Sequence, residues 1–154
     1  MTALTLTPET SSVAVARRYV RDLLGNAGIS ESIAYLAVLA TSELVTNAVL
    51  HAATRVDVRV EIGRGTLRVE VVDYGDGCPV YSRVASDADQ GRGLMVVSRV
   101  ASRWGVDLES DRKCVWFELP RSSLPHSRSR RPPPSVVLSQ LARVIRRLPR
   151  PWTE

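Results

Sequence analysis

The chain has 154 residues, 44% of them apolar, with a mean hydropathy near zero, the profile of a globular domain that buries about two thirds of its unfolded surface. Its net charge of +5 conceals two unlike parts: residues 1–120 carry 13 Lys and Arg against 15 Asp and Glu, while residues 121–154 carry 8 Arg against one Glu. The first part therefore gives no electrostatic case for direct nucleic-acid binding. No apolar run approaches the ~20 residues of a membrane span, and the N-terminus lacks the charged start and apolar stretch of a signal peptide. Two cysteines outside any CxxC pair, Cys78 and Cys114, suit buried thiols in a reducing cytoplasm.

Residues 3–7 alternate and are stopped by Pro8, which predicts a short edge strand. Val13, Ala16, Val20, Leu23 and Leu24 fall at helical spacing behind Ser11 and Ser12, and Gly25 is the expected end of that helix. A second helix is predicted over 30–51, started at Ser30, with Ile33, Leu36, Ala37, Ala40, Leu44, Val45 and Ala48 on a broad apolar face. The period then changes to two. Val56, Val58, Val60 and Ile62 alternate with charged residues, and after Gly63-Arg-Gly65 so do Leu67, Val69 and Val71, giving an antiparallel hairpin with one wet face. Residues 74–92 read as a long loop, functional or disordered, 93–102 as a third helix, and 104–109 with 114–119 as a last hairpin. This order predicts an α+β domain over 1–120, with helices on one face of a mostly antiparallel sheet. A Ser/Arg/Pro-rich linker follows over 121–135 and a basic, amphipathic tail over 136–154.

Three short segments carry polar chemistry. Glu43 and Asn47 are four residues apart, hence one turn apart on the same helix face, with His51 a further turn along. A carboxylate and an amide oxygen are hard ligands that suit Mg²⁺, and the neutral amide adds no charge beside a polyphosphate. The Glu is the better placed of the two to orient or deprotonate an attacking group. A solvated helix face would use the same residue types. Asp73 ends an apolar strand and is followed by Gly75 and Gly77, so it can accept an exocyclic amine while the glycines admit positive φ and leave room for a flat base. A plain Asp-Gly turn is the competing reading. Gly91-Arg-Gly93-Leu94 opens the third helix, whose free N–H groups favour phosphate, with Arg92 either on that phosphate or in solvent. It is neither a Walker loop, lacking Gly-Lys-Ser/Thr, nor a dinucleotide fingerprint.

Taken in this order, the segments resemble the histidine-kinase-like ATPases, the superfamily that includes gyrase B and the catalytic domain of histidine kinases. Thr41-Ser-Glu-Leu-Val-Thr-Asn-Ala-Val-Leu-His-Ala52 is similar to the N box, Asp73-Tyr-Gly-Asp-Gly77 to the first glycine box and Gly91-Arg-Gly-Leu94 to the second. Arg17-Arg-Tyr-Val20, Arg103-Trp-Gly105 and Val115-Trp-Phe-Glu-Leu119 look like the small bacterial anti-sigma serine kinases of RsbW type, over about residues 4–120. The resemblance implies a Bergerat fold, a two-layer sandwich with helices on one face of a mixed sheet. It implies that Asn47 coordinates Mg²⁺, Glu43 is the general base, Asp73 binds adenine, and Gly75 and Gly77 shape the base pocket. Gly91, Arg92, Gly93 and Leu94 would meet the phosphates of ATP, under a lid at 78–90. It implies as partners a sigma factor and a STAS-domain anti-anti-sigma protein whose serine is phosphorylated, with a homodimer as a further assembly. An ATP-binding regulatory module without phosphotransfer is the alternative. The tail beyond residue 120 lies outside this core, and the lid carries only Arg83 and Arg92 as nearby cations. Val137, Leu141, Val144, Ile145 and Leu148 would share one face of a tail helix that suits an anionic membrane surface or a protein groove, and a solvated basic tail fits as well.

Overall fold

A computed structural model describes residues 1–52, 54–75, 92–109 and 111–121. They belong to one compact unit, Met1–Ser123, and the expectations for the lid, the linker and the tail helix lie outside the described residues.

Strand β1 (Thr2–Leu6) leads through Pro8 into helix α1 (Ser11–Asn26) and helix α2 (Glu31–Ala52). Strands β2 (Val56–Ile62) and β3 (Thr66–Asp73) form the first hairpin; helix α3 (Arg92–Val100), β4 (Arg103–Leu108) and β5 (Lys113–Pro120) follow. The sheet order is β1-β2-β3-β5-β4, and all four pairings are antiparallel, so the mostly antiparallel sheet expected is antiparallel throughout its described strands. The cause is the long connection through α3: it carries the chain past β5 to the sheet edge, and the β4–β5 hairpin brings it back beside β3.

Alternation decides which side of the sheet is covered. Val56, Val58 and Val60 on β2, Leu67, Val69 and Val71 on β3, and Val115, Phe117 and Leu119 on β5 are all buried, and they form one core with Ala16, Val20 and Leu24 of α1 and Ala37, Ala40, Leu44 and Val45 of α2. Each fully buried Val, Leu or Phe contributes about 1.5–3 kcal/mol relative to an exposed one. The other face carries charge. Arg68 bridges Glu70 at 2.9 Å and Glu118 at 3.1 Å, and its guanidinium lies 4.0 Å from the ring centre of Trp116. Gly105 lies beside that indole, so close that a Cβ there would stand 2.6 Å from Cζ2.

Two expectations are corrected here. Helix α1 does not stop at Gly25 but continues to Asn26, and its terminator is Gly28 at φ +67°. Gly28 N–H donates to the Gly25 carbonyl at 3.0 Å and Ile29 N–H to the Leu24 carbonyl at 3.0 Å, a Schellman closure, with Ile29 buried in the core. Gly25 sits in the helix with open space around it. Second, α2 does contain a stretch, the 20 residues Glu31–Leu50, long and apolar enough to cross a membrane by length and composition. Its apolar character comes from Ala, Val and Leu residues that the fold uses as core, and half of that stretch is buried inside the domain.

Candidate functional site

Helix α2 packs against α1, α3 and the sheet, and most of its surface is therefore covered. Ala40, Thr41, Ser42, Leu44, Val45, Ala48 and Val49 are buried, whereas Glu43, Thr46 and Asn47 are only half-buried and Leu50 is exposed. Glu43 and Asn47 thus form a polar stripe with access to solvent on a helix otherwise committed to the core, one turn apart as the sequence spacing requires. Two contacts steady this turn. Thr46 Oγ1 donates to the Ser42 carbonyl at 2.8 Å, and Arg17 of α1 donates through Nε to the Ser42 hydroxyl beside Glu43.

Asp73 is the last residue of β3 and is 4% exposed. Its register partner on β5 is Lys113, and both lie on the face of the buried Val71–Val115 pair, the face that carries the helices. The Lys113 ammonium stands 3.0 Å from Asp73 Oδ2. A buried carboxylate without such compensation is costly, and breaking a buried pair by removing one partner costs about 3–5 kcal/mol. Lys113 belongs to no sequence motif. The signal that finds it is the register of two strands about 40 residues apart in sequence, which fixes the residue opposite Asp73.

Just past Asp73, Tyr74 N–H donates to Thr54 Oγ1 at 3.2 Å, tying the chain to the segment that follows α2. Gly75 then passes Ala52, the last residue of α2: a Cβ on Gly75 would stand 3.5 Å from the Ala52 Cβ, an ordinary contact. Gly75 does not have positive φ; among the described glycines only Gly28 does. Positive φ is therefore not its role, and among the described residues a Cβ would fit there. Gly77 and Gly91 lie outside the described residues, as do the side chains of Arg92 and His51.

Helix α3 begins at Arg92, so Arg92, Gly93 and Leu94 form its first turn, whose backbone N–H groups have no partner within the helix. No acidic residue occupies that turn, and Arg99 lies in the last turn where a cation suits the dipole. Leu94 is half-buried against the core and Val97 fully buried, so the start of α3 is fixed by packing. The structure therefore packs the helix of Glu43 and Asn47 against the helix that opens at Arg92, with Asp73 at the end of a strand beneath α2. Among the described residues no group of three His, Cys, Asp or Glu gathers as a metal cage. The half-buried Glu43 and Asn47 offer a carboxylate and an amide oxygen, hard donors of the kind Mg²⁺ takes when phosphate supplies the other ligands.

Two neighbouring groups have displaced titrations. Burial raises the Asp57 carboxyl, but hydrogen bonds from Tyr74 (2.6 Å) and Thr5 (2.8 Å) and the charges of Arg55 and Arg59 outweigh it and hold the group below the ordinary carboxylate value. Burial, aided by Glu70 and Asp107, pushes the Cys114 thiol up to about 11.

These features describe an α+β domain whose core helix carries a half-buried Glu–Asn stripe and packs against a helix that opens at Arg92. The chain belongs to the histidine kinase-like ATPase domain family, whose model matches residues 6–119. Among solved structures 23 chains match, one of them in the crystal structure of the SiaB-SiaC complex from Pseudomonas aeruginosa. That match has 14% sequence identity and a TM-score of 0.53, and it covers 78% of this chain and 89% of the other. At this identity the likeness is one of fold. No curated protein matches the chain.

Proposed function

We propose that the domain binds Mg-ATP between α2, the end of β3 and the start of α3, and acts as a regulatory protein serine/threonine kinase of anti-sigma type. The observation that carries this reading is the half-buried Glu43–Asn47 stripe on the core helix that packs against α3, in a chain of the histidine kinase-like ATPase family. Asn47 would supply a neutral oxygen to the metal, and Asp73 an acceptor for the exocyclic amine of adenine. The N–H groups at the α3 start, from Arg92 to Leu94 with Gly91 before them, would meet phosphate oxygens. Bound Mg²⁺ supplies charge neutralisation on the phosphates. Glu43, one turn from Asn47, is positioned to accept the proton of an incoming hydroxyl, the role a general base must fill.

The partners in this proposal are a sigma factor and a STAS-domain anti-anti-sigma protein. Support for a protein partner as such comes from the fold match to a structure in which SiaB is found in complex with SiaC. A cytoplasmic setting, no direct contact with nucleic acid, homodimer formation and weak membrane-surface or protein contacts of the tail 121–154 complete it.

The test is transfer of labelled phosphate from ATP to candidate STAS-domain proteins, run with the wild type, Glu43→Ala and Asn47→Ala. The kinase reading expects transfer by the wild type and loss in both variants, with nucleotide binding kept in Glu43→Ala. Tight binding of ATP with no transfer to any partner would replace it with the regulatory module that uses ATP without phosphotransfer.

A further inference from the structure

The Asp73–Lys113 pair is unlike a surface ion pair. Its side chains are 6% and 18% exposed, it sits at the strand ends on the helix-facing side of the sheet, and Gly75 follows two residues after Asp73. Lys113 is also the only lysine in a chain whose other cations are arginines. An ammonium is compact and carries three donors, whereas a guanidinium is a planar fork that two carboxylate oxygens satisfy best. One Lys113 donor is used on Asp73 Oδ2. Pairing through Oδ2 does not exhaust the carboxylate either, since two oxygens offer about four lone-pair sites.

Side by side, the carboxylate and the ammonium present an acceptor next to a donor. The complement of that pattern that agrees with the adenine role proposed for Asp73 is a ring with an amine donor next to a nitrogen acceptor. Adenine has this arrangement on both sides of its exocyclic amine, with N1 on one side and N7 on the other. We infer that Lys113 is a second base-reading residue of the nucleotide site: Asp73 accepts from the exocyclic amine of adenine while Lys113 donates to the ring nitrogen beside it. This inference rests on the proposed adenine role of Asp73. It goes further in assigning recognition to a residue that reaches the site from β5.

The experiment uses the whole chain and titration calorimetry with Mg-ATP and its 1-deaza and 7-deaza analogues, each of which replaces one ring nitrogen by C–H. Losing a hydrogen bond from a charged donor weakens binding by about tenfold or more. The wild type is expected to bind one of the two deaza analogues at least about tenfold more weakly than ATP. In Lys113→Met that preference disappears, so ATP and the sensitive analogue bind alike. Equal affinity of the wild type for ATP and both analogues overturns the inference, and this arm holds even if Lys113→Met does not fold. A Lys113→Met protein that loses stability yet keeps the wild-type preference also overturns it, leaving the pair a purely structural contact. A wild type that binds no ATP at all is a different outcome, for it removes the nucleotide site itself.

Discussion

Gly105→Ala is the substitution whose effect the sheet geometry states most sharply. Gly105 on β4 faces Trp116 on β5, and a Cβ there would lie 2.6 Å from Cζ2, 2.8 Å from Cε2 and 3.0 Å from Nε1. Ordinary carbon contacts begin near 3.5 Å, so the indole must shift by roughly 1 Å. It is not free to do so without loss, because Arg68 covers the ring at 4.0 Å while holding Glu70 and Glu118. Overpacking costs about 1–3 kcal/mol, and the low end applies because Trp116 stands on the open face and can tilt. Loss of the cation–π contact adds about 0.5–1 kcal/mol. The reduced freedom of the unfolded chain returns about 0.5–1 kcal/mol. The net is a loss of about 1–2 kcal/mol, or about 4–8 °C in Tm for a domain of this size. Urea unfolding followed by far-ultraviolet circular dichroism measures it. The same substitution in a Trp116→Ala background removes the clash and is expected to be neutral or stabilising. A Gly105→Ala protein as stable as the wild type, or an equal loss in both backgrounds, would refute the reasoning.

Further consequences follow from single groups. Gly25→Ala and Gly28→Ala should have opposite signs in thermal melts: a gain of about 0.5–1 kcal/mol at Gly25 inside α1, and a loss of about 1 kcal/mol or more at Gly28, whose φ of +67° an L side chain resists. Destabilisation by both would contradict the helix end assigned here. With its thiol pushed up from 9.0 to about 11, Cys114 has about a hundredfold less thiolate at pH 8 than an ordinary cysteine, so in a Cys78→Ser background native iodoacetamide labelling should be slower than in urea by at least that factor. Labelling at equal rates would show that Cys114 is not protected. The Asp57 carboxyl lies below its usual 3.8, so its ionised form contributes stability that is present above the unfolded value and lost as pH falls through the folded one. Tyr74→Phe should therefore be less stable at pH 7 by about 1–2 kcal/mol, with the gap closing below about pH 4; a gap independent of pH would exclude the hydrogen bond as its cause.

Much of this architecture is readable in the sequence because one face of the sheet is wet. Val56 to Ile62 and Leu67 to Val71 alternate strictly, so strand identity and inward face follow from the residues themselves. The Glu43–Asn47 stripe is legible for a similar reason, since four-residue spacing on an apolar helix has one geometric meaning. What escaped depends on three-dimensional closure. Gly25 and Gly28 are both plausible helix stops, and only the backbone shows that the left-handed residue is Gly28. The apolar Glu31–Leu50 stretch reads as core or span by composition alike, and packing on the sheet separates the two. Lys113 sits in a turn-rich segment that suggests a solvated residue. Its place on Asp73 comes from a β3–β5 register that no local pattern encodes.

The most direct test of the central claim is equilibrium binding of Mg-ATP to the full chain, measured by calorimetry for the wild type, Asp73→Asn and Asn47→Ala. The site described here predicts saturable one-site binding by the wild type. It predicts a loss of about tenfold or more in Asp73→Asn, where an amide replaces the buried acceptor. In Asn47→Ala the loss should appear with Mg²⁺ and shrink when the metal is chelated. No binding at millimolar Mg-ATP, or binding that neither substitution changes, would contradict it.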